Sequence, residues 1–438
     1  MRQNQKQTMK DKFKSFSINY SNFIIFFVFY LTVLLGFYFN EDNLGGAAHD
    51  SIYHFDIVQK FNENFSDTFS NFGKHEYDLG TRNSPVFWIF MSILSKFFSI
   101  DLIRLLNTLI ILATAIIFHK CLQIRYGNFD RLSLIILSTM IFLSPTLRSL
   151  AIWPYSLGWG LFFFIVSIYS YLKFQNDLNL NKSLIILINV IIASYIYPSF
   201  AVFYLFYFYK IFEKTKNTSL IIKILLISFI CFIPCLIYLM SSDIFTIFKK
   251  SQGVGAEEGI TSAQYLNVSN KILIIGSMIL YFLMPVLNFK EIFNKIKNIK
   301  KLTLISVLLF CVANIYFFNF PHSTWGGGFF HKLSNIIFGN NYLFYFFSIL
   351  SILTIHLIIE RKFSNYLLLF ILVLYNPQFT IYIKYFDPLI YVLFLTLLDF
   401  NLKKHFFDKT YAFYQFYLVI IFYYVAVYSK NIFLDFKF

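Results

Sequence analysis

Apolar runs recur along this chain from residue 19 to residue 428 with no long polar interval between them, and few folds can absorb that pattern. A bilayer core takes about 20 apolar residues per helix, and backbone amides that face lipid must find their hydrogen bonds inside their own segment. Helices meet both conditions, so the expected fold is all-α, a polytopic transmembrane protein. Candidate spans lie near 19–39, 84–99, 102–119, 132–146, 156–173, 184–197, 199–213, 219–240, 269–288, 302–320, 341–359, 364–376, 386–400 and 410–428. Several are short, which makes the expected number about 11 to 14. Charged residues are 13% of the 438, against roughly 25% in soluble domains, so no separate soluble catalytic domain is expected and residues 1–438 read as one integral-membrane domain.

The formal charge of +15 would suit a nucleic-acid partner, but the lysines sit mostly in short loops between apolar runs. There they act as topology signals, and no nucleic-acid partner is expected. "KIFEKTK" (210–216), "KEIFNKIKNIKK" (290–301), "ERK" (360–362) and "NLKKHFFDK" (401–409) are assigned to the cytoplasm, together with the basic N-terminus. External loops then fall at 40–83, 241–268, 321–340 and 377–385. The run 84–119 must cross an odd number of times if "HKCLQIRYGNFDR" lies inside, yet it holds enough apolar residues for two spans. Cys121, Cys231, Cys235 and Cys311 lie in or beside apolar segments and suggest neither a disulfide framework nor a metal site.

The first external loop is large and acidic. It holds Glu41, Asp42, Asp50, Asp56, Glu63, Asp67, Glu76 and Asp78, eight of the 22 acidic residues. Within it "DSIYHFDIVQKF" sets Ile52, Phe55 and Val58 at near-helical spacing opposite Asp50, His54 and Lys60, which predicts a short amphipathic interfacial helix. Asp50 and His54, four apart on one helical face, could take a proton from an acceptor hydroxyl or hold a divalent ion. Gly45-Gly46 would let the backbone turn back toward the membrane surface.

Other chemistry gathers on the same predicted side. "SPTLRSLAIWPYSLGW" (144–159) holds Arg148, a charge that is expensive between apolar runs unless paired or hydrated, and otherwise a snorkelling interfacial arginine. "FPHSTWGGGFFHKLSN" (320–335) joins three consecutive glycines to His331 and Lys332, a compact cation suited to a phosphate. "YNPQFTIYIKYFDPLIYVL" (375–393) carries Lys384 and Asp387, an expected interfacial pair. An anionic headgroup bound by Lys332, Lys384 or Arg148, opposite a carboxylate on the first loop, would account for this convergence.

In their order these features resemble the GT-C superfamily, polytopic glycosyltransferases that include the protein O-mannosyltransferase and aminoarabinose transferase families. The resemblance rests on "HDSIYHFDIVQKF", then Ser84-Pro85 and "IDLIRLLNTL" around Arg104, then "FLSPTLRSLAIWPYSLGW". It covers about residues 19–175, with a looser echo at "KYFDPLIYVL", and divides the chain into that N-terminal module and a C-terminal transmembrane region, 176–438. Asp50 takes the position of the family's loop acid, but Ser51 follows it where an acidic pair is common, and no acid directly precedes Ser84-Pro85. Glu76, Asp78 and His54 are the candidates for the second acidic or acceptor-binding group.

The resemblance implies transfer of a sugar from a polyprenyl-phosphate donor to an extracytoplasmic glycan, lipid or protein acceptor, with inversion. Asp50 would act as general base, and Lys332, Lys384 and Arg148 would hold the donor phosphate, with His331 bonding the phosphate or the sugar. No cofactor is required by this scheme, though Asp50 with His54 could hold a divalent metal. The implied location is a bacterial cytoplasmic membrane, with the N-terminus inside and the site outside. A lipid-linked-saccharide flippase and an oligosaccharide polymerase are the alternatives: the first favours midspan charges and repeated halves, the second Arg-rich external loops.

Overall fold

Helix is the economical answer for apolar runs of this length, and in the computed structural model the described residues form 19 α-helices with no strand. Those residues are 20–42, 47–74, 83–127, 131–241, 267–284, 289–320, 326–376 and 381–400, with Tyr77, Leu79, Leu287 and parts of 414–429. In chain order the helices are α1 Tyr20–Tyr38, α2 Ala47–Glu63, α3 Phe65–Asn71, α4 Val86–Ser95, α5 Ile100–Tyr126, α6 Arg131–Thr139, α7 Pro145–Ile152, α8 Ser156–Phe174, α9 Leu180–Ile196 and α10 Phe203–Thr215. They continue as α11 Thr218–Ser241, α12 Val268–Leu283, α13 Phe289–Lys297, α14 Lys301–Tyr316, α15 Gly328–Phe338, α16 Tyr342–Ile358, α17 Phe363–Tyr375, α18 Ile383–Phe386 and α19 Leu389–Thr396.

Among the described residues three helices, α5, α8 and α11, are long and apolar enough to cross a membrane, and bent pairs raise the number to five. Several other apolar stretches among the described residues form helices of 10–17 residues. At 1.5 Å per residue these reach about 15–25 Å, short of the roughly 30 Å hydrocarbon layer, so length alone supports fewer spans than the apolar runs suggested. The region 84–119 is one such case. Residues 86–95 make only the ten-residue α4, whereas α5 runs unbroken for 27 residues.

The expected span 132–146 is broken. A 3-10 turn, Met140–Leu143, leads into α7, and the two halves meet at 62°. Pro145 at the first helical position lacks the N–H that helix continuation requires, and Ser144 Oγ accepts the Leu147 N–H at 3.1 Å, so a new helix starts there. Residues 145–152, expected within an external loop, are therefore a fully buried helix. The 321–340 region likewise contains α15, because Gly327 and Gly339 close its two ends.

The first loop folds as α2 and α3, and α2 shares an apolar cluster with α4. Ile57, Val58 and Phe61 of α2 pack with Phe72, with Trp88 and Met91 of α4, and with Ile103 of α5 and Ile196 of α9. Each such side chain taken from water contributes about 1.5–3 kcal/mol. The amphipathic helix is present, but its inner face differs from expectation: Ser51, His54, Ile57, Val58 and Phe61 are buried, while Ile52 is 63% exposed. Phe61 and Ile57 choose the face because they have aromatic partners below, and His54 follows at the same helical spacing. The apolar cluster thus fixes which end of α2 projects.

Candidate active site

Asp42 starts the site by capping α2. Its two carboxylate oxygens accept the Ala47 and Ala48 N–H groups, each at 3.1 Å, so its charge satisfies helix-end donors. That cap places Asp50 in the first turn with its side chain 48% exposed. Gly45-Gly46 lies outside the described residues, as do Glu76 and Asp78.

One turn on, His54 is buried. Its Nδ1 accepts the Trp88 indole N–H at 3.0 Å, and its ring meets that of Tyr155 at 4.7 Å between centroids. Burial first, and then the positive charge of Lys384, pull its pKa down to about 3. A neutral imidazole that accepts at Nδ1 carries its proton on Nε2. His54 is therefore a hydrogen-bond donor at neutral pH, and Nδ1 is already committed to Trp88. Among the described residues no group of three or more His, Cys, Asp or Glu side chains stands close enough to hold a metal ion.

Lys384, on the short α18, brings the C-terminal half of the chain to this point. Its Nζ lies 3.8 Å from Asp50 Oδ2 and 5.4 Å and 5.9 Å from the ring centroids of Tyr382 and Tyr385. Burial works against the ammonium charge, but Tyr385, Tyr155 and Asp50 outweigh it, and the pKa is moved above the usual lysine value. Lys384 is thus a fixed cation. The expected Lys384–Asp387 pair does not form: Asp387 is buried and Oδ2 accepts from Ser144 Oγ at 2.9 Å, so Lys384 turns to the first loop instead.

The glycine stretch meets the same segment from the other side. Gly326, Gly327 and Gly328 have φ of 76°, 85° and 76°, in the left-handed region that favours glycine. Gly327 N–H donates to the Ile381 carbonyl at 3.0 Å, and a Cβ at Gly326 would stand 3.1 Å from that oxygen. His331 is folded beneath, its ring among Phe318, Phe320 and Phe344. It is 1% exposed, so it supports the loop from within, and Lys332 beside it is half-buried on α15. Asp50, His54 and Lys384 are therefore brought together directly, with the His331 segment joined to them through the backbone at Ile381.

Arg148 is held elsewhere. Its Nε donates to Glu41 Oε1 at 2.7 Å and Nη2 to Glu41 Oε2 at 2.5 Å, with both side chains 5% exposed. Nη1 also donates to Thr32 Oγ1 at 2.9 Å, and the guanidinium lies over the Tyr424 ring. A fork fully matched to a carboxylate has little left for a donor phosphate. Arg104 braces the same turn: Nη2 donates to Asn40 Oδ1 at 2.7 Å and its guanidinium stacks 3.9 Å from the Trp153 ring centroid. Sequence reasoning counted Glu41 among the loop acids and missed this role. The available signal was its place at the end of an apolar run, where a buried carboxylate needs a cation.

Comparison with known protein families, curated proteins and solved structures finds no match to this chain.

Proposed function

We propose that the chain is an integral-membrane glycosyltransferase that moves a sugar from a polyprenyl-phosphate donor to an extracytoplasmic glycan, lipid or protein acceptor. The observation that carries this reading is the half-exposed Asp50 carboxylate facing the Lys384 ammonium at 3.8 Å, with the neutral His54 beside them. Asp50 takes the proton of the acceptor hydroxyl as its oxygen bonds to the anomeric carbon. The bond from that carbon to the phosphate oxygen breaks, the configuration inverts, and polyprenyl phosphate leaves with the electron pair. Lys384 stabilises the charge that develops there, so a separate general acid is unnecessary. His54 Nε2–H is a further donor for a sugar or phosphate oxygen. Lys332 remains a candidate second cation, whereas Arg148, held by Glu41, becomes a structural residue.

The membrane reading draws support from apolar surface on α11, where Leu226, Ile230 and Ile237 are 60%, 64% and 62% exposed. Under that reading 11 to 14 segments cross or enter a cytoplasmic membrane, with the N-terminus inside and Asp50 outside, and short helices reach the full thickness in pairs.

The test is glycan and lipid-linked-sugar profiling of cells that carry wild type or Asp50→Asn at matched membrane abundance. Asn keeps the size and removes the base, so one sugar modification should fall by about 10²–10⁴-fold in rate while its polyprenyl-phosphate donor accumulates. Unchanged transfer by the variant would remove Asp50 as base. If deletion of the protein instead strands intact lipid-linked saccharide on the inner leaflet, the chain is a flippase; loss of chain length with single units intact identifies a polymerase.

A further inference from the structure

At the far end of α16 from His331, the chain builds a second polar site. α13 and α14 meet at 108°, and below the bend lies a cavity of about 430 Å³. Lys295, Asn298 and Ile299 line it from α13 and the bend, and His356, Ile359 and Arg361 from the end of α16. Phe344, which touches the His331 ring, is twelve residues before His356, about 18 Å along a helix, so this cavity is separate from the Asp50–Lys384 pair.

Its groups combine cations with apolar wall. α13 is anchored by the buried Ile292, while Phe293 stays 60% exposed on its flank, as suits a helix lying at a lipid interface. Lys295 pairs with Glu291 at 2.9 Å, but both are about one-third exposed at 33% and 39%. Such a surface pair is worth about 0–1 kcal/mol and exchanges readily for a stronger anion. Lys362 is tied to Glu360 and Asp399, whereas Arg361 makes no ion pair among the described residues. His356 Nε2 is buried in the wall with no hydrogen-bond partner among the described residues.

We propose that this cavity binds the phosphate of an anionic phospholipid headgroup. Arg361 and Lys295 grip the phosphate, and Ile299 and Ile359 meet the glycerol end of the chains. A volume of about 430 Å³ exceeds what a bare phosphate fills, and basic pockets between membrane helices commonly take such headgroups. This inference rests on the membrane reading above, but not on glycosyl transfer.

The test uses the purified full-length chain in detergent, with native mass spectrometry of bound phosphatidylglycerol, phosphatidylcholine and, as competitor, inorganic phosphate. Phosphatidylglycerol should be retained at least tenfold over phosphatidylcholine. The Lys295→Gln/Arg361→Gln double variant should erase that preference, Arg361→Lys should keep most of it, and Lys96→Gln, on an exposed lysine of the first-loop region, should leave it unchanged. Equal retention of both lipids, or preference intact in the double variant, would overturn the proposal. So would inorganic phosphate displacing the lipid at comparable concentration, which would assign the pocket to a small free anion. Should the double variant unfold, single Arg361→Gln carries the test, because that side chain is exposed at the rim. A chain that purified from cells without detergent would sink the membrane reading itself, an outcome distinct from a lost lipid preference.

Discussion

Lys384 stands 3.8 Å from Asp50, and the two residues come from opposite ends of the chain. Neither is deeply buried, at 32% and 48% exposure, so the pair contributes little to stability and the arrangement is available for chemistry. Lys384→Met keeps an apolar stem and removes the charge. If the proposed glycosyl transfer is the activity, it should fall by about 10²–10³-fold, the usual effect of removing one stabilising donor at a developing anion. The thermal midpoint should be unchanged, and the Asp50→Asn/Lys384→Met double variant should lose less than the sum of the two. Full transfer in Lys384→Met membranes would assign the phosphate to another cation.

Glu41 and Arg148 should behave in the opposite way. Removing one partner of a buried pair strands a charge and costs about 3–5 kcal/mol. Glu41→Gln and Arg148→Met should each lower unfolding stability on that scale, while the double variant recovers part of the loss. Denaturant unfolding of the four proteins in one detergent measures the coupling. Independent, additive losses would mean that the two side chains do not act as a pair.

Gly36 owes its identity to the same pair. A Cβ there would overlap Glu41 Oε2 and lie 3.1 Å from Arg148 Nη2. Gly36→Ala must push the carboxylate off the guanidinium, and a loss of about 1–3 kcal/mol is expected from that overpacking. In a Glu41→Asp background, where the carboxylate is one methylene shorter, the same substitution should cost less. A cost independent of residue 41 would trace the effect to α1 packing instead.

His54 supplies a pH signature. Its folded-state pKa is lowered to about 3, against 6.5 unfolded, so between those values the unfolded chain binds a proton that the folded chain refuses. Stability from this group is complete above pH 6.5 and declines by about 1.4 kcal/mol per unit as pH falls toward 3. His54→Gln removes the titration, so wild-type stability should fall more steeply than that of the variant over this window. Parallel pH curves would show that His54 protonates as easily folded as unfolded.

Local patterns in the chain were sufficient for much of the backbone. Apolar runs encode helices, and the periodicity of residues 50–61 encodes a helix in the first loop, whereas the break at Ser144-Pro145 falls inside a run that reads as one continuous span. Residue chemistry also nominated Asp50 and Lys384. The inner face of α2 was not legible, because Ile52 and Ile57 are alike in sequence and only Phe72 and the aromatic residues of α4 distinguish them. His54 looked like an acid or ligand until Trp88, 34 residues away, supplied the indole N–H that sets its tautomer.

What the sequence by itself determined is the helical, strongly apolar character of the protein and the set of charged residues that such a fold has to accommodate. Tertiary structure alone decided the partners. Glu41 reaches Arg148 across 107 positions, and Lys384 rather than Arg148 comes to face Asp50. The reason is physical: helix formation depends on neighbours within a few residues, whereas a buried charge is satisfied by whichever opposite charge packing delivers, and packing is a property of the whole chain.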